Sequence, residues 1–284
     1  MNTLTPAPAT ARPAGRATLF LFLLLGGQLI FVFASPYYQV FPSNDDPLFA
    51  TGLAAVLGLA ALGLHRSDSY RRWAAPVYAL FVAAAANFAL VLGPFNGLIT
   101  AAEPFRQMAE DKLAQFLAIV PVILILVWLP RRDLGQLYLQ RGRPRRWLVF
   151  GLAGFLAGLG AMVWILLSAG MTAAALLRAS PWILIFVAAN AFMEELWFRG
   201  IFLRPYEAEV GWAATMALTA LAYGTSHMSA TYFESATGML FGLGVIGLGL
   251  ILAWSIRWGD SLWGAVLFHM GMDLVIILPV VQSL

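Results

Sequence analysis

The amino-acid sequence predicts an all-α protein, a polytopic transmembrane bundle of about eight to nine helices, and three observations carry that expectation. Hydrophobic residues fill 61% of the 284 positions and charged residues only 11%, a balance that ordinary water-soluble domains do not show. The apolar residues fall into runs long enough to cross a hydrocarbon core of about 30 Å. The basic residues collect in alternate connections between those runs, as membrane orientation requires. There is no cysteine, which removes disulfides, thiolate metal ligands and cysteine nucleophiles. The formal net charge of +3 is dispersed in short blocks, which excludes nucleic acid as an expected partner.

In chain order, residues 1–16 are rich in Pro, Ala and Thr and read as a disordered tail. The run at 17–34 follows Arg12 and Arg16, as the apolar part of a secretory leader would. It exceeds the roughly 7–15 residues of a cleaved signal, so a retained first span is expected. Further runs lie at 47–64, 73–93, 114–130, 148–169, 182–206, 212–230, 236–256 and 262–281. With nine spans, only Arg106, Lys112 and Arg178 fall on one side of the alternation; the other basic residues lie on or toward the opposite side, with Arg199, inside its run, given little weight. A cytoplasmic N-terminus and an external C-terminus follow; a bacterial inner (plasma) membrane is the expected setting.

Between the third and fourth runs, Phe95, Leu98, Ile99, Ala102, Phe105, Met108, Ala109 and Leu113 recur at helical spacing among charged residues. This predicts an interfacial helix outside the bilayer, or equally a loop helix packed on the bundle. Gly151, Gly154, Gly158 and Gly160, with Gly242, Gly244, Gly247 and Gly249, read as surfaces where helices approach closely. No strand precedes them, as a phosphate-binding loop would need.

Chemistry concentrates in Asn190–Leu203, where Glu194, Glu195 and Arg199 stand inside a transmembrane run. An ionisable group near a bilayer centre costs about 2.5–3.5 kcal/mol, so each needs a partner or a function. Glu195 and Arg199 have the i,i+4 spacing of an ion pair and are assigned to structural support. Glu194 points about 100° away from Glu195 and has no local cation, which leaves it as the candidate base. If the sixth and seventh runs form a hairpin turning near 207–211, Glu194 and His227 lie roughly 20 and 24 Å from that turn, at nearly one level. His269 and Asp273 share a face of the last helix. Singly, His227 or His269 would be read as a helix–helix hydrogen bond, and His65, beside Arg66, as an exposed boundary residue. Together with Glu194 and Asp273 they read as one intramembrane cavity.

These residues resemble three motifs of the CPBP family, the CAAX protease and bacteriocin-processing (Abi) intramembrane proteases. Glu194-Glu195-Leu196-Trp197-Phe198-Arg199-Gly200 is similar to EExxxR, Tyr223-Gly224-Thr225-Ser226-His227 to FxxxH, and His269-Met270-Gly271-Met272-Asp273 to HxxxN/B, in which Asn is common at the last position. The resemblance covers roughly 180–281 and divides the chain into the tail 1–16, N-terminal helices over 17–179 and a catalytic core over 180–284. It implies an endopeptidase that hydrolyses a peptide bond of a membrane-associated protein or peptide. In that scheme Glu194 activates water with help from His227, while His269 and residue 273 stabilise the oxyanion. Two positions depart from the pattern. Tyr223 replaces Phe and adds a hydroxyl near the site. Asp273 replaces Asn, and an ionised carboxylate would repel an oxyanion; it must be protonated, orient His269 or meet a metal. Zinc accepts the nitrogen and oxygen ligands that Glu194, His227 and His269 offer, so it stays open as a cofactor beside a metal-free glutamate base. Nothing in the sequence marks a prenyl pocket.

Two other classes use the same residues. Buried Glu, Asp and His also build proton relays, which admits a proton-coupled transporter, although no inverted repeat is visible. A non-catalytic immunity or scaffold membrane protein could keep the fold without the reaction.

Overall fold

The computed structural model describes residues 13–36, 47–131, 133–228 and 235–278. Its helices are α1 (Pro13–Gln28), α2 (Pro47–Arg66), α3 (Ala74–Leu92), α4 (Pro104–Arg131), α5 (Pro144–Ser168), α6 (Ala173–Glu195), α7 (Leu203–Val210), α8 (Trp212–His227), α9 (Ser235–Gly259) and α10 (Trp263–Ile276). There is no strand among the described residues. In lipid a helix satisfies its own backbone donors and acceptors, so apolar runs of this length have little alternative. Residues 1–12 of the expected tail lie outside the described residues, and α1 begins at Pro13.

Among the described residues, seven helical segments are long and apolar enough to cross a membrane: α1 with its π-helical extension Leu29–Phe33, α2, α3, α4, α5, α6 through α7, and α9. The chain is an integral, multi-pass membrane protein of all-α fold. The remaining two of the nine apolar runs are shorter helices, α8 with 16 residues and α10 with 14. At 1.5 Å per residue they measure about 24 and 21 Å.

The segment from Phe95 to Leu113 does not form a separate interfacial helix. Asn96–Leu98 is one 3-10 turn, and the periodic residues from Phe105 onward are the opening turns of α4, which continues unbroken to Arg131. Glu110 sets the approach: its Oε2 accepts the backbone N–H groups of Thr100 at 2.6 Å and Ala101 at 2.8 Å, and Arg106 Nε donates to its Oε1 at 3.0 Å. Phe105 and Ala109 are buried in an apolar cluster with Met162, Ile183, Phe186 and Leu274. That burial is why the stripe faces protein instead of the bilayer surface.

α10 packs on α5, α6 and α9. The contact with α5 is made by glycines: a Cβ at Gly151 would lie 2.9 Å from Gly264 O, one at Gly154 would enter the Phe268 ring, and one at Gly158 would collide with the Gly271 backbone. Gly242 and Gly249 bring α9 equally close to α8, at Gly224 and Ala220. Gly160, Gly244 and Gly247 face open space and contribute to neither contact. Gly158→Ala is therefore expected to destabilise by about 1–3 kcal/mol, as overpacking does. Gly160→Ala is the matched control, and equal thermal midpoints for the two purified proteins would contradict this packing.

The other end of α10 is fixed by the segment 133–143. Leu262 N donates to Tyr138 O at 3.0 Å, Arg143 N to Gly259 O at 2.7 Å, Gln140 Nε2 to Asp260 O at 3.0 Å and Ser261 Oγ to Gln140 O at 2.8 Å. Arg204 reaches across to Asp260 at 3.2 Å and stacks over Tyr138, and Arg257 pairs with Glu207 at 2.8 Å. The start of α10 is thereby fixed, six residues before His269.

Candidate active site

The Glu194 helix changes pitch at the site. α6 ends at Glu195, residues Leu196–Gly200 are π-helical, and Ile201 N donates to Leu196 O at 3.2 Å. Such single-turn π segments re-aim side chains and recur at functional positions. Here the π turn carries Arg199 into the interior. Arg199 is fully buried, its Nη1 donates to Glu195 Oε1 at 3.0 Å, and its guanidinium lies 3.8 Å from the centre of the Tyr223 ring.

Three helices bring the other groups together. His227, the last residue of α8, places Nε2 3.6 Å from Glu194 Oε2, and His269 of α10 places its Nε2 3.7 Å from the same oxygen. His227 Nδ1 is 2.8 Å from Tyr223 O. A carbonyl can only accept, so Nδ1 carries the proton there and a neutral His227 presents a lone pair at Nε2. By the same argument His269 Nδ1 donates to Glu195 Oε1 at 2.9 Å. Its Nε2 meets the Tyr223 hydroxyl at 3.1 Å and Asp273 Oδ1 at 3.5 Å. Glu195 Oε1 thus receives both Arg199 and His269, and couples the π turn to the imidazole.

Glu194, His227, His269 and Asp273 consequently stand in one cluster, with Glu195 and Arg199 beneath it. His65 is exposed at the end of α2, far along the chain from this cluster. The Glu194 side chain is 9% exposed, that of His269 2% and that of His227 22%, so the cluster opens on its α8 side.

Two contributors escaped the sequence reading. Asn190 stands one turn before Glu194 on α6, is buried, and donates Nδ2 to Asp273 Oδ2 at 3.0 Å. Its i,i+4 spacing to Glu194 within an apolar run was the available signal. Lys112 of α4 stands within electrostatic reach of Glu194. Nothing in the sequence pattern pairs α4 with α6.

Among the described residues no group of three His, Asp or Glu side chains is arranged to hold a metal. Both nitrogens of His269 already meet protein partners, Glu195 on one side and Tyr223 with Asp273 on the other.

Residues 176–275 match the family model described as Type II CAAX prenyl endopeptidase Rce1-like. That segment, which contains all three motifs, is similar to the CPBP/CAAX protease family. No curated protein and no solved structure matches it.

Proposed function

We propose that this protein is an endopeptidase that cuts a membrane-associated peptide or protein by glutamate-activated water. The observation that carries the reading is Glu194 Oε2 standing 3.6 Å from His227 Nε2 and 3.7 Å from His269 Nε2. Glu194 Oε2 and the free Nε2 of His227 are both acceptors, and a water placed beside the pair would donate an O–H to each. In the reaction Glu194 takes a proton from that water and the oxygen adds to the scissile carbonyl carbon. The C–N bond then breaks as the amine leaves with the proton returned by Glu194.

Oxyanion charge falls to the Tyr223 and His269 side. His269 stands among three carboxylates, Glu195 at Nδ1 and Glu194 with Asp273 at Nε2. With both ring nitrogens protonated it donates Nδ1–H to Glu195 and turns Nε2–H to the oxyanion. Asp273, held by Asn190, serves to orient His269.

In this reading residues 17–179 form the supporting helices and 180–284 the catalytic core. The N-terminus is cytoplasmic, so the arginine-rich segment between α4 and α5 faces the cytoplasm. The family name makes prenylated CAAX ends the first substrate class to assay, beside unprenylated lipid-anchored peptides. Purified protein in phosphatidylcholine vesicles is expected to generate a new C-terminus in one of these two peptides, read by mass spectrometry. If both stay intact, and Glu194→Gln retains no more membrane peptides than wild type in a trapping pull-down, the reading is overturned.

A further inference from the structure

We infer that Asn190 binds substrate, its side-chain carbonyl Oδ1 accepting a backbone N–H of the peptide that Glu194 and its water attack. The inference rests on the peptidase reading above. Asn190 lies four residues before Glu194, so the two side chains leave α6 on one face, one turn apart. It is 6% exposed. Its Nδ2 donates to Asp273 Oδ2 at 3.0 Å, and that bond fixes the amide. Turned over, its carbonyl would confront a carboxylate, acceptor against acceptor.

The fixed amide leaves Oδ1 buried with no hydrogen-bond partner. A buried acceptor inside a membrane bundle calls for a donor. The polar neighbours identified on this face, Glu194 and Asp273, are carboxylates. An extended peptide supplies what they do not: it advances about 3.3 Å per residue and carries one N–H on each. One turn of α6 is about 5.4 Å, so a peptide whose scissile carbonyl reaches Glu194 brings an N–H one or two residues away to Asn190.

A lone unpartnered oxygen would not suffice. Asn87 has the same pattern, its Nδ2 bound to Ala34 O at 2.8 Å and its Oδ1 unpartnered, yet it ties α3 to the end of the first span. Asn190 differs because its amide is bonded to a carboxylate of the site and shares the face of the base.

The test uses whichever vesicle-presented peptide wild type cleaves, together with versions N-methylated singly at the backbone nitrogens flanking the cut. Asn190→Ala is expected to raise KM about tenfold with a smaller change in kcat, the scale of one lost hydrogen bond. One N-methylated peptide is expected to lose about the same factor in kcat/KM with wild type and nothing further with Asn190→Ala. Asn190→Leu, which keeps the volume, repeats the comparison if the alanine protein unfolds. Equal N-methyl penalties in wild type and variant overturn the inference, as does a variant altered in kcat alone, which would reduce Asn190 to a support for Asp273. If wild type cleaves no peptide, the peptidase reading itself falls.

Discussion

Glutamine at position 194 is expected to eliminate peptide cleavage, lowering kcat by about 10²–10⁴-fold, the contribution of a positioned general base. Gln matches Glu in size, and Glu194 Oε2 makes no hydrogen bond that the exchange would break. The thermal midpoint should therefore hold while the proton acceptor is lost. His227→Gln removes the imidazole 3.6 Å away and should fall in the same range. Combining the two should cost little more than either alone, because both groups act on one water. Cleavage by folded Glu194→Gln at the wild-type rate would end the glutamate-base mechanism. The transporter alternative separates in the same experiment, since proton-linked flux in vesicles without cleavage would favour it.

Much of this arrangement was legible because hydropathy in a membrane protein is nearly a direct record of topology. Each of the nine apolar runs contains a helix. Boundaries were less legible where burial, not hydropathy, decides. The stripe from Phe105 to Leu113 has the pattern of a surface helix, yet its apolar face meets Met162 and Leu274 from distant helices, and periodicity does not name the partner. Helical pitch puts Glu194 and His227 at one depth when 194–207 is a single regular helix. The chain instead runs through a π turn and a break before α7, and the two groups still meet at 3.6 Å. The segment 133–143 was opaque for another reason: its hold on α10 is made by hydrogen bonds to backbone carbonyls more than a hundred positions away in the chain. Glycine spacing marked the close contacts but not their direction, since Gly158 meets α10 while Gly160 meets nothing.

Removing Arg199 alone is expected to be more damaging to the fold than removing Arg199 and Glu195 together. Both side chains are fully buried, and Glu195 Oε1 receives Arg199 Nη1 at 3.0 Å and His269 Nδ1 at 2.9 Å. Arg199→Met strips a cation from a site holding Glu194, Glu195 and Asp273. Breaking a buried pair in this way costs about 3–5 kcal/mol, because the surviving charge stays buried. Pairing Arg199→Met with Glu195→Gln removes the orphaned carboxylate as well, and an apolar chain can still lie against the Tyr223 ring that Arg199 covers at 3.8 Å. The double variant should therefore recover most of the lost thermal stability. It should not recover cleavage: a neutral amide holds His269 Nδ1 more weakly than a carboxylate, so the imidazole loses the partner that aims Nε2. Arg199→Lys should be destabilising too, since an ammonium cannot both reach Glu195 and lie flat on Tyr223. Thermal midpoints of the three variants, read beside their cleavage rates, test whether Glu195 links fold to site. A double variant as unstable as Arg199→Met would show that the buried charge is not what makes that single substitution costly.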